Sequence, residues 1–411
     1  MIGKTICSVA ALSILFLGGC DHRFSPELLV APAGSDLPMT SSNVKVHWNG
    51  TEFLYINACW YNSGPLAYAI NSDGTLVPPL TRYDIDNNAP PVPGQYETYI
   101  AGLTASPDHR SIYFARLESD EPLNRVEYYR IGREVNSKIK QVFTEGDNSY
   151  SLASIAFIGR GHFLYVMYNQ IKASLPIPNR KILVAYRLGI DGRVKRLPGP
   201  PVVAATYATA AMVANPLIVV AYAITGPSTH FLYVVRPEDH CLDVYRIKAS
   251  GSLMAPPAAS LALGYRAGKS VFLPNGRILF VADADHACIK QYQIGPNGVP
   301  MLLLRTVPGV DPVLDPRGRF LYAAAPGNHS LLCYNILPDG TLRQAGATAT
   351  HDLCFMPCVD ATGRFVYAMA RNLDRHELAI SQFRITVNGT LVPLQPEEVP
   401  AVASTTLITA Q

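Results

Sequence analysis

"DPRGRFLYAAAPGNHSLLCYNILPDGTLRQ", Asp315 to Gln344, decides the fold. Its runs "RFLYAAA" (Arg319 to Ala325) and "LLCYNI" (Leu331 to Ile336) are short, rich in Leu, Ile, Tyr and Phe, and bounded by Gly, Pro, Asn and Asp. That is the pattern of strands in an antiparallel sheet. "PDGT" at Pro338 to Thr341 predicts a tight turn, because Asp-Gly supplies the positive φ that hairpin turns need. A further strand opens at Leu342, and "VDPVL" (Val310 to Leu314) precedes the first, so the unit is a four-stranded meander.

The unit occurs six more times. Its first anchor, the aromatic of "FLY", falls at Tyr55, Tyr113, Tyr165, Tyr233, Phe280, Tyr322 and Tyr367. Its second, an aromatic before an Ile or Leu, falls at Tyr68, Tyr129, Tyr186, Tyr245, Tyr292, Tyr334 and Phe383. In six of the seven units a glycine follows the second anchor by six residues: Gly74, Gly192, Gly251, Gly298, Gly340 and Gly389. A lone meander cannot bury both of its faces, so repeats of this kind must stack. The expectation is an all-β fold, a seven-bladed β-propeller of four-stranded antiparallel blades.

Composition agrees. At roughly 150 residues per domain the length would hold two or three domains, yet no linker interrupts the repeats, which make residues 43–411 one unit. The 33 Pro, 30 Gly and 48% hydrophobic residues suit many short strands joined by turns. The apolar stretch from Val202 to Ile224 is long enough to span a bilayer. A spanning helix would cut the propeller in half, so Leu217 to Ile224 reads as the inner strand of the fourth blade.

The N-terminus is a separate element. Lys4 is followed by an apolar run from Thr5 to Gly19, too short to span and long enough for a signal segment, and it ends in "LGGC". This resembles the lipobox of bacterial lipoproteins, which implies cleavage after residue 19 and lipid on Cys20; an ordinary signal peptide with a chance cysteine is the alternative. Asp21, in that family, favours retention at the inner membrane. Residues 20–42, rich in Pro, Ser and Gly, read as a tether. Without the segment that carries Lys4, 33 basic residues face 31 acidic ones. No basic cluster or glycine-rich phosphate loop stands out, so nucleic acid is not an expected partner.

Cysteine usage points to packing. Cys241 and Cys288 hold equivalent places on neighbouring blades. Sheets stack about 10 Å apart and bridged Cα atoms lie within about 7 Å, so a blade-to-blade disulfide is not expected. Cys354 and Cys358 in "CFMPC" would be about 13 Å apart in an extended strand, and a second pair of metal ligands is missing. No metal and no cofactor are expected.

The runs "SPDHRSIYFA", "LPNGRILFVA", "DPRGRFLYAA" and "DATGRFVYAM", each followed by a Tyr- or Phe-containing strand and in places by "DGTL" or "NGTL", resemble the seven-bladed lactonase family, the 6-phosphogluconolactonase-like propellers, and also propellers with YVTN-type repeats. The likeness covers about Val44 to Gln411. It implies a ring that starts on the second strand of the first blade and is closed by a C-terminal strand, here within "EEVPAVASTTLITAQ". "NVKVHW" (Asn43 to Trp48) competes for that slot.

The resemblance also implies His and Arg of "PH" or "PR" pairs at the mouth of the central funnel. The matching stretches lack a recurrent "PH" and offer Glu97, Arg266, Lys269, Asp311, His351 and Asp352. Lactone hydrolysis needs a base to activate water and a cation to hold the developing oxyanion. Glu97 or Asp311 with Arg266 or Lys269 would supply that pair; solvated funnel residues are the alternative. A sugar-phosphate lactone arises in the cytosol and does not cross a bilayer unaided, so an envelope protein would not meet it.

Two functions fit. The preferred one is a monomeric, membrane-anchored envelope propeller that binds a protein, glycan or small ligand on its top face; the alternative is a lactonase-like hydrolase acting in the funnel. His240, His286, His329 and His376 lie between second and third strands and are further ligand-binding candidates, or else plain blade structure. The "LGGC" reading is checked by metabolic labelling with a fatty acid, which should mark the wild type and spare Cys20→Ser.

Overall fold

The chain is described by a computed structural model at residues 52–56, 63–77, 82–84, 98–105, 111–118, 125–130, 150–158, 163–170, 179–189, 194–207, 223–225, 230–237, 239–350, 353–371, 378–401 and 407–410. Residues 1–42, Asn43–Trp48, Glu97, His351, Asp352 and His376 lie outside the described residues, and with them Cys20.

The stretch Asp315–Gln344 folds as its turn residues dictate. Strands Val310–Leu314, Phe320–Ala325, Ser330–Ile336 and Leu342–Ala349 form one antiparallel meander. Asp315 closes its first turn by accepting from the backbone N–H groups of Arg319 and Phe320, the latter at 2.8 Å. Asp360 does the same in the next sheet, accepting from Arg364 and Phe365 at 2.7 Å each. Asp339 caps the second turn through the Thr341 N–H at 2.9 Å. These are side-chain-to-backbone turns of the kind that Asp favours.

Among the described residues the strands group into seven antiparallel sheets in chain order. Four of them are plain four-stranded meanders, and those beginning at Ala223, Ala267, Val310 and Leu353 follow one another without a break. The fourth to seventh sheets are apolar on both faces because each packs between two others. Phe280 and Ile289 meet Leu321 and Tyr334 on one side of the sixth sheet, while Tyr322 and Cys333 meet Val366 and Phe383 on the other. Burial of large side chains at about 1.5–3 kcal/mol each makes these interfaces the main source of stability.

A repeated contact joins neighbours. The first-anchor tyrosine of one sheet donates its hydroxyl to the turn-glycine carbonyl of the next: Tyr165 to Gly251, Tyr233 to Gly298 at 2.8 Å, and Tyr367 to Gly74 at 2.8 Å. Those glycines have φ of +90°, +81° and +94°, and each Cα lies against an aromatic ring of the neighbouring sheet, Phe163, Phe231 and Phe365. A Cβ on Gly298 would sit 2.7 Å from the Phe231 ring. The glycine spacing seen in the sequence therefore has two causes, a left-handed turn and a ring packed where a side chain would be.

The C-terminal strand is shorter than the sequence suggests. Leu391–Ala401 is a single outer strand of the seventh sheet, so Glu397–Ala401 belongs there, and Leu407–Ala410 alone pairs with Phe53–Ile56 of the first sheet. Leu54, Tyr68 and Leu76 of the first sheet pack on Phe365, Tyr367 and Leu394 of the seventh. Within the apolar stretch from Val202 to Ile224, Val202–Tyr207 and Ala223–Thr225 are strands, and no helix among the described residues is long and apolar enough to cross a membrane.

Removing Leu407–Gln411 should strip four residue pairs from Phe53–Ile56 and cost about 0.5–1.5 kcal/mol for each hydrogen bond lost. The expected result is a lowered melting temperature. An unchanged one would show that Leu407–Ala410 contributes nothing to the first sheet.

Candidate functional site

The first strands of the sheets lie side by side. Leu407–Ala410 neighbours Thr98–Ala105, which neighbours Tyr150–Ile158, then Ala223–Thr225, Ala267–Phe272, Val310–Leu314 and Leu353–Val359, and this last neighbours Leu407–Ala410. Five of these strands break register against their partners at one place: near Ala101, Ala153, Gly268–Lys269, Asp311–Pro312 and Met356–Pro357. A bulge adds one residue to a strand and re-aims its side chain. Asp311 and Met356 occupy it with φ of +50° and +49°. For residues other than glycine such a conformation costs about 1–3 kcal/mol and clusters at functional sites.

Two of the sequence candidates meet there. The Asp311 carboxylate accepts from the backbone N–H of Met356 at 3.1 Å, and the Lys269 ammonium donates to the carbonyl of Pro357 at 3.3 Å. Both therefore address one short piece of the seventh sheet from the sixth and the fifth. All three side chains, Lys269, Asp311 and Met356, are half-buried. Met356 and Pro357, within "CFMPC", are not among the site candidates of the sequence. A spacing would have found them, since Lys269, Asp311 and Met356 each stand four residues before the first residue of the following turn, Leu273, Asp315 and Asp360.

Arg266 is engaged elsewhere. Its backbone N–H donates to Asp285 at 2.7 Å, and its guanidinium lies 3.7 Å from the same carboxylate. The structure thus separates Arg266 from the Lys269–Asp311 pair. Beside it, fully buried Asp283 accepts from Lys290 at 2.9 Å and lies 2.9 Å from His286 Nδ1. Burial alone would raise the Asp283 pKa, but the bonds from Lys290 and His286 outweigh it and hold the carboxyl below its ordinary value. Lys290 also sits 3.8 Å from the Tyr265 ring centroid, and the Tyr265 and Tyr292 hydroxyls are bonded at 2.8 Å.

The histidines divide. His240 and His329 hold the left-handed residue directly before the third strand, with φ of +51° and +47°, and in the fifth sheet that place is taken by Ala287, not His286. In each case the carbonyl of this residue accepts from the residue just after the fourth strand: Leu263 to His240, Gly309 to Ala287, Thr350 to His329. His286 stands one residue earlier and is the one tied to Asp283. All three rings are exposed, and no cluster able to hold a metal occurs among the described residues.

Cys241, Cys333, Cys354 and Cys358 are buried thiols outside any disulfide, and Cys288 is a half-buried one. The bulge at Met356–Pro357 sends Cys354 to the interface with the sixth sheet and Cys358 to that with the first. Burial, then the nearby Asp311 and Glu398 carboxylates, push the Cys354 thiol pKa up. It stays a thiol.

No protein-family model matches the sequence. No curated protein matches it either. Solved structures do. The periplasmic gluconolactonase of Pseudomonas aeruginosa superposes with a TM-score of 0.61 at 17% identity, covering 88% of this chain and 99% of the other. A protein from Lactobacillus plantarum gives 0.60 at 16% identity over 88% of this chain and 99% of its own. A candidate 6-phosphogluconolactonase from Bacteroides fragilis gives 0.60 at 13% identity with the same coverage. The fold is that of the lactonase-like β-propellers.

The depressed Asp283 pKa has a pH signature. A carboxyl whose folded pKa lies below its unfolded value of about 3.9 gives stability that is present above that value and is lost as pH falls through the folded pKa. Asp283→Asn should destabilise by about 1–3 kcal/mol at neutral pH, since Lys290 and His286 lose the carboxylate charge and one of its two acceptor oxygens. Melting curves against pH should show the gap to wild type closing below about pH 4.

Proposed function

We propose that the chain is a seven-bladed propeller, closed by Leu407–Ala410, that hydrolyses a lactone at the mouth of its central funnel. The observation that carries this reading is the meeting of Lys269 and Asp311 on the Met356–Pro357 peptide. Asp311 is the base: it takes a proton from water as the water oxygen attacks the lactone carbonyl. Lys269 holds the negative charge that develops on the carbonyl oxygen. Collapse of the tetrahedral intermediate breaks the ring C–O bond, the ring oxygen takes the proton from Asp311, and the product is a hydroxy acid.

A neutral sugar lactone fits best. A phosphorylated one would bring a dianion towards the Asp311 carboxylate with Lys269 as the neighbouring cation, and it would have to be made outside the cytosol. The Pseudomonas aeruginosa neighbour, a periplasmic gluconolactonase, supports both the substrate class and an envelope location. Lipid attachment at Cys20 with residues 20–42 as tether would hold the domain there. A second reading, a propeller that binds a protein or glycan without turnover, is favoured by the fact that Lys269 and Asp311 already have protein partners.

The test is hydrolysis of δ-gluconolactone above its spontaneous rate by the full chain. Asp311→Asn and Lys269→Met should each lower kcat/KM by about 10²-fold. No hydrolysis by the wild type, with saturable binding of a ligand abolished by the same changes, would establish the binding reading. Hydrolysis equal in all three proteins would place the chemistry elsewhere.

A further inference from the structure

We propose that the end of the propeller bearing the two turns of each sheet is a docking surface for an anionic phospholipid bilayer, built from exposed Arg and Lys side chains and a fringe of exposed apolar ones. In a four-stranded meander the turns after the first and third strands share one end, and the tyrosine–glycine contacts align that end from sheet to sheet. This inference is independent of the hydrolase reading.

Charge is the first observation. Arg246, Lys248, Arg277, Arg317, Arg343 and Arg384 are all exposed at this end, at third-strand ends, in turns or at fourth-strand starts. Arg319 and Arg364 lie over the Phe320 and Phe365 rings at 4.8 and 5.1 Å, a stacking that steadies the guanidinium above the rim. The acidic residues of the same turns offset these cations only in part. Asp315 is buried, closes its own turn and also pairs with the Arg319 guanidinium at 3.1 Å, Asp360 is buried and closes its own turn, Asp339 is tied to Arg305 at 3.2 Å, and the exposed Asp73 feels the charge of Arg384. At the opposite end carboxylates meet the cations directly: Asp239 and Asp243 hold Arg236, Asp285 holds Arg266, and Asp283 holds Lys290.

Apolar exposure is the second. Six large hydrophobic side chains are exposed among the described residues, and five lie at the turn end: Met254, Met301, Leu302, Val387 and Val392, at 44% to 90% exposure. Met254 donates its N–H to Arg246, Met301 and Leu302 pair with Gln293 and Tyr292, and Val392 pairs with Arg384. Cations beside Met, Leu and Val make the composition of an interfacial membrane face, where Arg and Lys meet phosphates and the apolar groups enter the headgroup boundary.

Chain entry is the third. Glu52 pairs with Ile70, which stands just before the Asn71–Thr75 turn, so the first described strand begins at this same end. The apolar run from Thr5 to Gly19 precedes it in the sequence. A bilayer that receives that run would face the basic end, and the Lys269–Asp311 pair would point away from it.

Vesicle sedimentation of the full chain tests this, with phosphatidylcholine vesicles against vesicles that also contain phosphatidylglycerol. The expected results are at least about tenfold tighter binding to the anionic vesicles, weakening at high salt, and a loss of about tenfold or more when Lys248→Glu, Arg277→Glu, Arg317→Glu and Arg343→Glu are combined. A melting curve verifies that the variant is folded; were it not, the salt series on the wild type decides. Equal binding to both vesicles, indifference to salt, or wild-type binding by the folded variant would overturn the proposal. So would a DNA duplex that binds as tightly as the anionic vesicles, because the face would then accept any polyanion.

Discussion

A tyrosine hydroxyl on a glycine carbonyl, with an aromatic ring lying against that glycine's Cα, is the interaction on which the rest of the architecture rests. It runs between sheets, from Tyr233 to Gly298 and from Tyr367 to Gly74, and so sets how one meander sits on the next. Burial pushes the Tyr233 hydroxyl up to about 12, so it remains a proton donor at any physiological pH. Exceptions show what is essential. Phe280 has no hydroxyl, and the Tyr322 hydroxyl is buried without a partner among the described residues, yet Gly340 and Gly389 still pack on Ile278 and Phe320. The close approach at glycine is the more general constraint, and the hydroxyl bond reinforces it where present.

Once neighbouring sheets are fixed in this way, their first strands are brought side by side, and the bulges determine what those strands present. A strand without a bulge would send Cys354 and Cys358 to the same interface; the extra residue at Met356–Pro357 sends them to opposite ones. The same device turns Asp311 and Met356 out of the ladder at a cost in backbone conformation. Packing between sheets covers that cost, which is why a strained pair can persist at the Lys269–Asp311 site.

The meanders were legible in the sequence because their signals are local: period-two apolar runs, Asp-Gly turns, and a glycine six residues past an aromatic. The site was legible only in part. Lys269 and Asp311 stood out as polar residues on inner strands, but their meeting on the Met356–Pro357 peptide depends on contacts among three sheets, 42 and 45 residues apart along the chain, which no local pattern reports. In sequence Arg266 is equivalent to Lys269, but Asp285, from the adjoining turn, holds it. The histidines between second and third strands divide for a related reason. A difference of one residue put Ala287 in the left-handed place that His240 and His329 occupy, and freed His286 to bond Asp283.

The two ends of the molecule follow different rules. At the turn end, tight Asp- and Gly-defined turns and ring-on-glycine packing leave little freedom, so residues recur there from sheet to sheet, and the arginine that opens the second strand is one of them: Arg277, Arg319 and Arg364. Recurrence of one charge on a rigid rim yields a broad field with no discrimination among small ligands, a property suited to an extended charged surface. At the opposite end the turns between second and third strands and the links between sheets differ in length and content, and the bulges of the fifth, sixth and seventh sheets carry unlike side chains, Lys269, Asp311 and Met356. Discrimination of a small substrate requires such unlike groups converging at one point. The same repeat that makes the fold regular therefore leaves unlike side chains together only at the end where the repeat is broken.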